Sequence, residues 1–336
     1  MTGRAGRGVL ERSVRSAWGH PGSGLRALAS LYGSAVDLRN LLWDAGVFRP
    51  HRARVPVVSV GGLSTGGCGK TPIAAALARH LADAGARVAV LTAGQEDELR
   101  LHRAMNPDVP VFGGRWRIPL AEAAVQDGAG ALLLDSGFQH RRLHRDLEIV
   151  ACNVDQAGNR QRLPAGPYRE RFTALRRADA VLLVRRAATR EQALELKQEV
   201  AGVAPRARTV EVRLRPGALR AANPAAERIE RPDPAAAVAG VMWPESFFRW
   251  LDVIDVKPEH RLALPDHARY DDRTVRDIAA AAGERGLVCT RKDAVRLADL
   301  VPDLIPVWWL EEELVWGAGA SRLLAGLRRV VGLVDG

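Results

Sequence analysis

The stretch that most constrains this chain is residues 59–73, Ser-Val-Gly-Gly-Leu-Ser-Thr-Gly-Gly-Cys-Gly-Lys-Thr-Pro-Ile. It ends an apolar run over 55–60 and leads into an alanine-rich apolar segment. A buried strand, a loop with five glycines and a helix together make a phosphate-binding loop. Glycines let backbone N–H groups turn inward around phosphate oxygens, and the helix offers its N-terminus to negative charge. Ser64, Thr65, Gly66, Gly67, Cys68 and Gly69 would form the cradle. Lys70 would reach the outer phosphates, and the Thr71 hydroxyl would sit on Mg²⁺. The strict pattern has Gly at position 64, which is Ser in this chain. The plainer alternative is a glycine-rich turn in an α/β protein.

At 336 residues the chain has room for two domains with their own cores. Its formal net charge is +10, and the distribution matters more than the total. Residues 1–54 hold nine Arg against Glu11, Asp37 and Asp44, a net of +6. Lys occurs only at 70, 197, 257 and 292, so one of four lysines falls inside the glycine loop. Cys68, Cys152 and Cys289 are odd in number and far apart, which speaks against a disulfide framework and for a reducing compartment. No window reaches the ~18 uninterrupted apolar residues of a membrane span. The start, with Arg4, Arg7, Arg12 and Arg15 and no long apolar core, does not read as a convincing secretory signal. Aromatic residues make up only 5% and no nucleic-acid motif is present, so the positive charge does not indicate a nucleic-acid partner.

Along the chain, residues 1–22 read as irregular. Leu25, Leu28, Tyr32, Ala35, Leu38 and Leu42 then recur at helical spacing over 25–43. With Arg26, Arg39, Arg49, Arg52 and Arg54 nearby, this is either a helix packed on the core or an interfacial helix on an anionic membrane. The order continues with a helix over 72–84, a strand over 87–91 and an acidic loop over 93–98. A strand over 109–113 and a helix over 118–126 come next. The apolar strand 131–134 ends in Asp135, a usual second half of a nucleotide site. Strands at 147–151 and 179–184, a helix at 187–203 and a strand at 209–214 complete a doubly wound parallel sheet. The Pro-rich segment 215–234 reads as the domain boundary. A smaller α/β domain follows over 235–336, with strands at 237–241, 287–290 and 305–310. Helices in this part are expected from 244, over 272–282 and over 320–331.

Several motifs in order resemble the tetraacyldisaccharide 4'-kinase (lipid A 4'-kinase) family. They are Leu38-Arg39-Asn40, the glycine loop, Gly137-Phe138-Gln139-His140-Arg141-Arg142, Asn159, Leu163-Pro164-Ala165-Gly166-Pro167 with Arg169-Glu170, Pro244-Glu245, Pro265-Asp266-His267 and Lys292-Asp293-Ala294-Val295. The resemblance implies a phosphate-loop kinase core at 55–214, a linker at 215–234 and a C-terminal domain closing the active-site cleft. A basic helix region within 1–54 would meet the membrane. The expected reaction is ATP-dependent phosphorylation of the 4'-hydroxyl of a tetraacylated glucosamine disaccharide 1-phosphate. The protein would then be peripheral on the cytoplasmic face of the inner membrane, with no obligate protein partner.

By match to that family, Asp97 is the general base, His267 its partner, and Lys70 a catalytic cation. Thr71, Asp135 and Glu170 would hold Mg²⁺, while Gln139, His140, Arg141 and Asn159 would bind substrate. An imidazole that orients a weak carboxylate base and shares its proton is sound chemistry. The chain departs from the family at Ser136, where a second Asp is usual, at Cys68, and in a shortened loop over 92–97. Leu99 replaces a Pro, which leaves Glu96 and Glu98 as rivals to Asp97. The alternative reading is a degenerate paralogue that binds nucleotide or lipid without efficient transfer.

Overall fold

The structure, a computed structural model, describes residues 18–333; of the irregular start expected over residues 1–22, residues 1–17 lie outside them. The chain divides into two compact units, residues 18–213 with 314–333 and residues 214–313.

The larger unit begins with helix α1 (Ser23–Asp44) and strand β1 (Val57–Gly62), followed by α2 (Lys70–Asp83) and β2 (Val88–Thr92). Then come α3 (Glu96–Met105), β3 (Val111–Gly113), α4 (Arg117–Gln126), β4 (Ala131–Asp135) and β5 (Leu147–Asn153). The run ends with β6 (Ala180–Arg185), α5 (Arg190–Val203) and β7 (Arg208–Ala221). The strand order is β3-β2-β4-β1-β5-β6-β7, and β1 pairs in parallel with both β4 and β5. Helices cover the sheet, so Val57, Val58, Val60 and Leu132–Leu134 are all buried and read as unbroken apolar runs. The Val60↔Asp135 register sets Asp135 beside the end of β1. Loops that leave these neighbouring carboxyl ends form the crevice where open parallel sheets bind ligands.

In the smaller unit, β7 runs on to Ala221, a short α6 (Pro224–Glu227) follows, and β8 (Ala236–Ala239) leads to α7 (Pro244–Val253). Then come β9 (His260–Ala263), α8 (Asp272–Ala282), β10 (Leu287–Thr290), α9 (Arg291–Leu297) and β11 (Val307–Trp316). Strands β11, β10, β8 and β9 neighbour one another in that order, and β10 pairs in parallel with β11 and β8. Helix α10 (Ala320–Val330) returns to the larger unit.

Two differences from the sequence reading stand out. The segment 215–234, expected as a linker, opens with the second half of β7, where Arg215 and Arg220 pair with Glu313 and Glu311. The acidic loop expected over 93–98 instead enters a helix at Glu96, with Asp97 in its first turn. Three acidic residues at a helix N-terminus suit the helix dipole, which the loop reading overlooked.

Candidate active site

The glycine loop leaves β1 and closes on α2. Gly66, Gly67 and Gly69 take φ of 52, 70 and 73, the left-handed region that glycine enters without a Cβ penalty. The rest of the loop is held from outside. Thr65 N donates to Pro167 O at 2.9 Å, and Arg169 N donates to Leu63 O at 2.7 Å. The Leu-Pro-Ala-Gly-Pro motif is therefore a backing strip for the loop. Asn153 Nδ2 and an Arg186 guanidinium nitrogen both donate to Gly67 O, at 3.2 and 2.8 Å. Arg186 had no motif to signal it. Lys70 Nζ lies 3.2 Å from Cys68 Sγ, so the buried thiol rests against the lysine. The Thr65 hydroxyl is buried with no hydrogen-bond partner among the described residues, an orphan donor inside the cradle.

Asp135 ends β4 at 1% exposure. Burial raises its carboxyl, but bonds from His102 and Thr71 and the Lys70 charge outweigh it and hold the group below the usual carboxylate range. His102 Nε2 lies 2.9 Å from Asp135 Oδ2, and Ser136 Oγ donates to Asp135 Oδ1 at 3.2 Å. Ser136 itself has φ 62, uncommon for a residue with a Cβ. Arg117, buried at the start of α4, donates to Gly114 O and feels the charges of Glu98 and Asp135. Neither His102 nor Arg117 carries a sequence signal beyond a polar residue on a helix face that turns inward.

The three acids at the start of α3 separate by environment. Glu96 is exposed and pairs with Arg100 at 2.8 Å one turn along. Asp97 is 4% exposed, and its Oδ1 accepts from Glu98 N at 3.0 Å. Glu98 faces Arg117.

The remaining expected site residues of this unit serve several places. Gln139 Nε2 donates to Gly62 O at 3.0 Å, bracing the end of β1. His140 has its imidazole lowered to about 4, first by burial and then by the charges of Arg117, Arg145 and Arg142. Arg141 donates to Asp44 Oδ1 at 2.7 Å and to Asn40 O at 3.2 Å, so it grips the end of α1. Asn159 donates to Trp18 O at 3.1 Å.

Glu170 is also turned toward α1. It accepts from Asn40 Nδ2 at 2.6 Å and Arg177 at 2.9 Å, with Arg39 at 3.8 Å. Two guanidiniums balance its charge, while its Oε1 is buried with no hydrogen-bond partner among the described residues. Helix α1 is further fixed where Asp37 accepts from Arg162 and Arg171, both at 2.9 Å. Gly33 makes room for this, since a Cβ there would lie 1.9 Å from the Arg162 guanidinium carbon. The face of α1 that packs is small, formed by Ala29, Gly33 and Val36. Leu28, Leu31, Leu38 and Leu41 point outward at 55–70% exposure.

In the smaller unit, His267 has φ 54 and sits in a loop pinned from several sides. Lys292 Nζ donates to Asp266 Oδ1 at 2.8 Å and lies 3.3 Å from His267 Nε2. Buried Asp293 accepts from Tyr270 Oη and Thr290 Oγ1, both at 2.6 Å, and from Gly240 N at 3.0 Å.

Thr71 and Asp135 offer hard oxygen donors side by side, the small protein contribution Mg²⁺ takes when phosphates and water supply the rest. The orphan Thr65 hydroxyl and the left-handed glycines fit a phosphate chain. A phosphate loop on β1 beside a strand-end aspartate on β4 places the protein among phosphate-loop nucleotide-dependent phosphotransferases. Within that class the chain belongs to the tetraacyldisaccharide-1-P 4'-kinase family, whose sequence model matches residues 23–104 and 94–330. It is 39% identical over 323 residues to the tetraacyldisaccharide 4'-kinase of Anaeromyxobacter sp. (strain K), covering 85% of each chain. Against that of Halorhodospira halophila (strain DSM 244 / SL1) it is 33% identical, covering 94% of this chain and 96% of the other. Among solved structures it resembles LpxK from Aquifex aeolicus in complex with ATP, with a TM-score of 0.70 and 26% identity, covering 91% and 98%.

Proposed function

We propose that this chain transfers the γ-phosphate of ATP to the 4'-hydroxyl of a tetraacylated glucosamine disaccharide 1-phosphate, a step of lipid A biosynthesis. The observation that carries the reading is family membership across nearly the whole chain, joined to an intact Lys70–Thr71–Asp135 set at the start of α2 and the end of β4. Loop amides from residues 64–69 and Lys70 would hold the phosphate chain and stabilise charge on the transferring group, where most of the catalysis in such reactions lies. Thr71 and Asp135 would hold Mg²⁺, which supplies further neutralisation of phosphate charge when bound. Asp97 is assigned the proton of the sugar hydroxyl. Its burial supports it over Glu96, whose carboxylate is exposed and paired with Arg100. His267 is assigned to the same proton transfer on the strength of the Pro265-Asp266-His267 motif. A chain that binds nucleotide or lipid without transfer has no support in the comparisons.

No helix among the described residues is long and apolar enough to cross a membrane. Four outward leucines on α1, then Val47, Phe48, Arg49, Arg52 and Arg54, support a peripheral mode in which apolar side chains enter an anionic leaflet and guanidiniums meet its headgroups. We assign that leaflet to the cytoplasmic side of the inner membrane, where ATP is available, and invoke neither an obligate protein partner nor a nucleic acid.

The test is incubation of purified protein with labelled ATP, Mg²⁺ and the tetraacyl disaccharide 1-phosphate in detergent. Labelled lipid is the expected product. ATP binding with no labelled lipid would overturn the assignment.

A further inference from the structure

Helix α3 meets the end of β4 through a histidine where an apolar residue would pack at less cost. His102 and Asp135 are both 1% exposed. An ionised carboxylate only accepts, so His102 Nε2 carries the hydrogen of the 2.9 Å bond to Asp135 Oδ2. The other ring nitrogen, Nδ1, is buried with no partner among the described residues. A buried polar atom left unpaired destabilises a fold, and leucine at 102 would avoid that penalty. What Nε2 does is the remaining reason for the ring.

The helix that carries His102 is itself fixed, since Asn106 Nδ2 donates to Ala75 O of α2 at 2.8 Å. The other side of the carboxylate is held by Ser136, which brings a hydroxyl and no charge. A cation at this place therefore depends on one carboxylate and on how that carboxylate is turned. We infer that His102 is a positioning residue for the metal: its Nε2–H fixes Asp135 Oδ2 and so holds in place the carboxylate that, with Thr71, would bind a divalent ion together with nucleotide. The inference rests on the nucleotide-site reading above. It adds that α3, which bears Asp97, is tied to the metal-holding aspartate by this bond.

Mn²⁺ is the probe, its free concentration read by electron paramagnetic resonance during titration of the protein–ATP complex. His102→Leu should weaken Mn²⁺ binding about tenfold, the lower range for loss of an outer-shell partner. Metal-free ATP affinity, followed with a fluorescent analogue, should stay unchanged, while thermal stability falls because the buried Asp135 Oδ2 loses its donor. His102→Gln, whose amide can reach Oδ2, should recover most of the affinity. His102→Asn is too short to reach it and should match His102→Leu, which gives a second comparison if the leucine variant folds poorly. Unchanged Mn²⁺ affinity in the leucine or asparagine variant would overturn the inference alone, as would a glutamine variant no better than asparagine. No Mn²⁺ binding by the unaltered protein with ATP would overturn the nucleotide-site reading and this inference with it.

Discussion

Three carboxylates within three residues, Glu96, Asp97 and Glu98, show how much environment decides at the scale of single residues. The exposed one is taken up by an i,i+4 pair, the next is buried, and the charge of the third acts on a buried guanidinium. If Asp97 is the base, Asp97→Ala should lower kcat ~10²-fold or more, as general-base losses do, while Glu96→Ala stays close to the unaltered rate. Steady-state kinetics with the disaccharide substrate check this, and a fully active Asp97→Ala would move the base elsewhere. Glu170 poses the opposite question. Its place against Asn40 and Arg177 makes it an anchor, so Glu170→Ala should destabilise the fold by about 3–5 kcal/mol through the buried charge left behind. Urea unfolding measures that loss. The Mg²⁺ concentration for half-maximal rate should not shift, and a large shift would place Glu170 at the metal.

At the scale of elements, α1 has two unlike faces. Its inner face is small and ion-paired, through Gly33, Asp37 and Asn40, and its outer face carries large leucines. The usual amphipathic rule places the leucines inward, and this helix inverts it. Substituting Leu28 and Leu31 with Glu removes exposed apolar surface, so stability should change by no more than ~0.5 kcal/mol each. Sedimentation with anionic vesicles should fall several-fold. Undiminished vesicle binding would mean that α1 does not bear the membrane contact. The family-specific motifs also act at this scale. Residues 163–167 back the phosphate loop, and Arg141, Arg162 and Glu170 clamp α1.

Acid sensitivity is a property of the whole molecule. His140 is held near 4 when folded, against about 6.5 for a free imidazole, by burial and then by three arginines. Between those values the unfolded chain binds a proton that the folded chain refuses. Stability from this group is therefore present above about pH 6.5 and lost as pH falls toward 4. Urea midpoints measured from pH 7.5 to 4.5 should drop, and His140→Gln should flatten the slope across that window. An equal slope in the variant would assign the sensitivity to other groups.

The sequence by itself determined the donor half of the site and the parallel α/β frame. Glycine spacing, the Lys70-Thr71 pair and the apolar strands at 55–60 and 131–134 are local features, and local backbone preference and periodicity suffice to read them. It also determined the family, because the motifs recur in a fixed order. Only the tertiary structure decided which acid on α3 is buried, that His102 holds Asp135, that Glu170 answers to Asn40 and Arg177, and that the leucines of α1 face outward. These pairings join residues far apart in the chain, 130 positions in the case of Asn40 and Glu170. Local propensity carries no information about a partner chosen through space, so burial and hydrogen-bond competition in the folded chain make that choice.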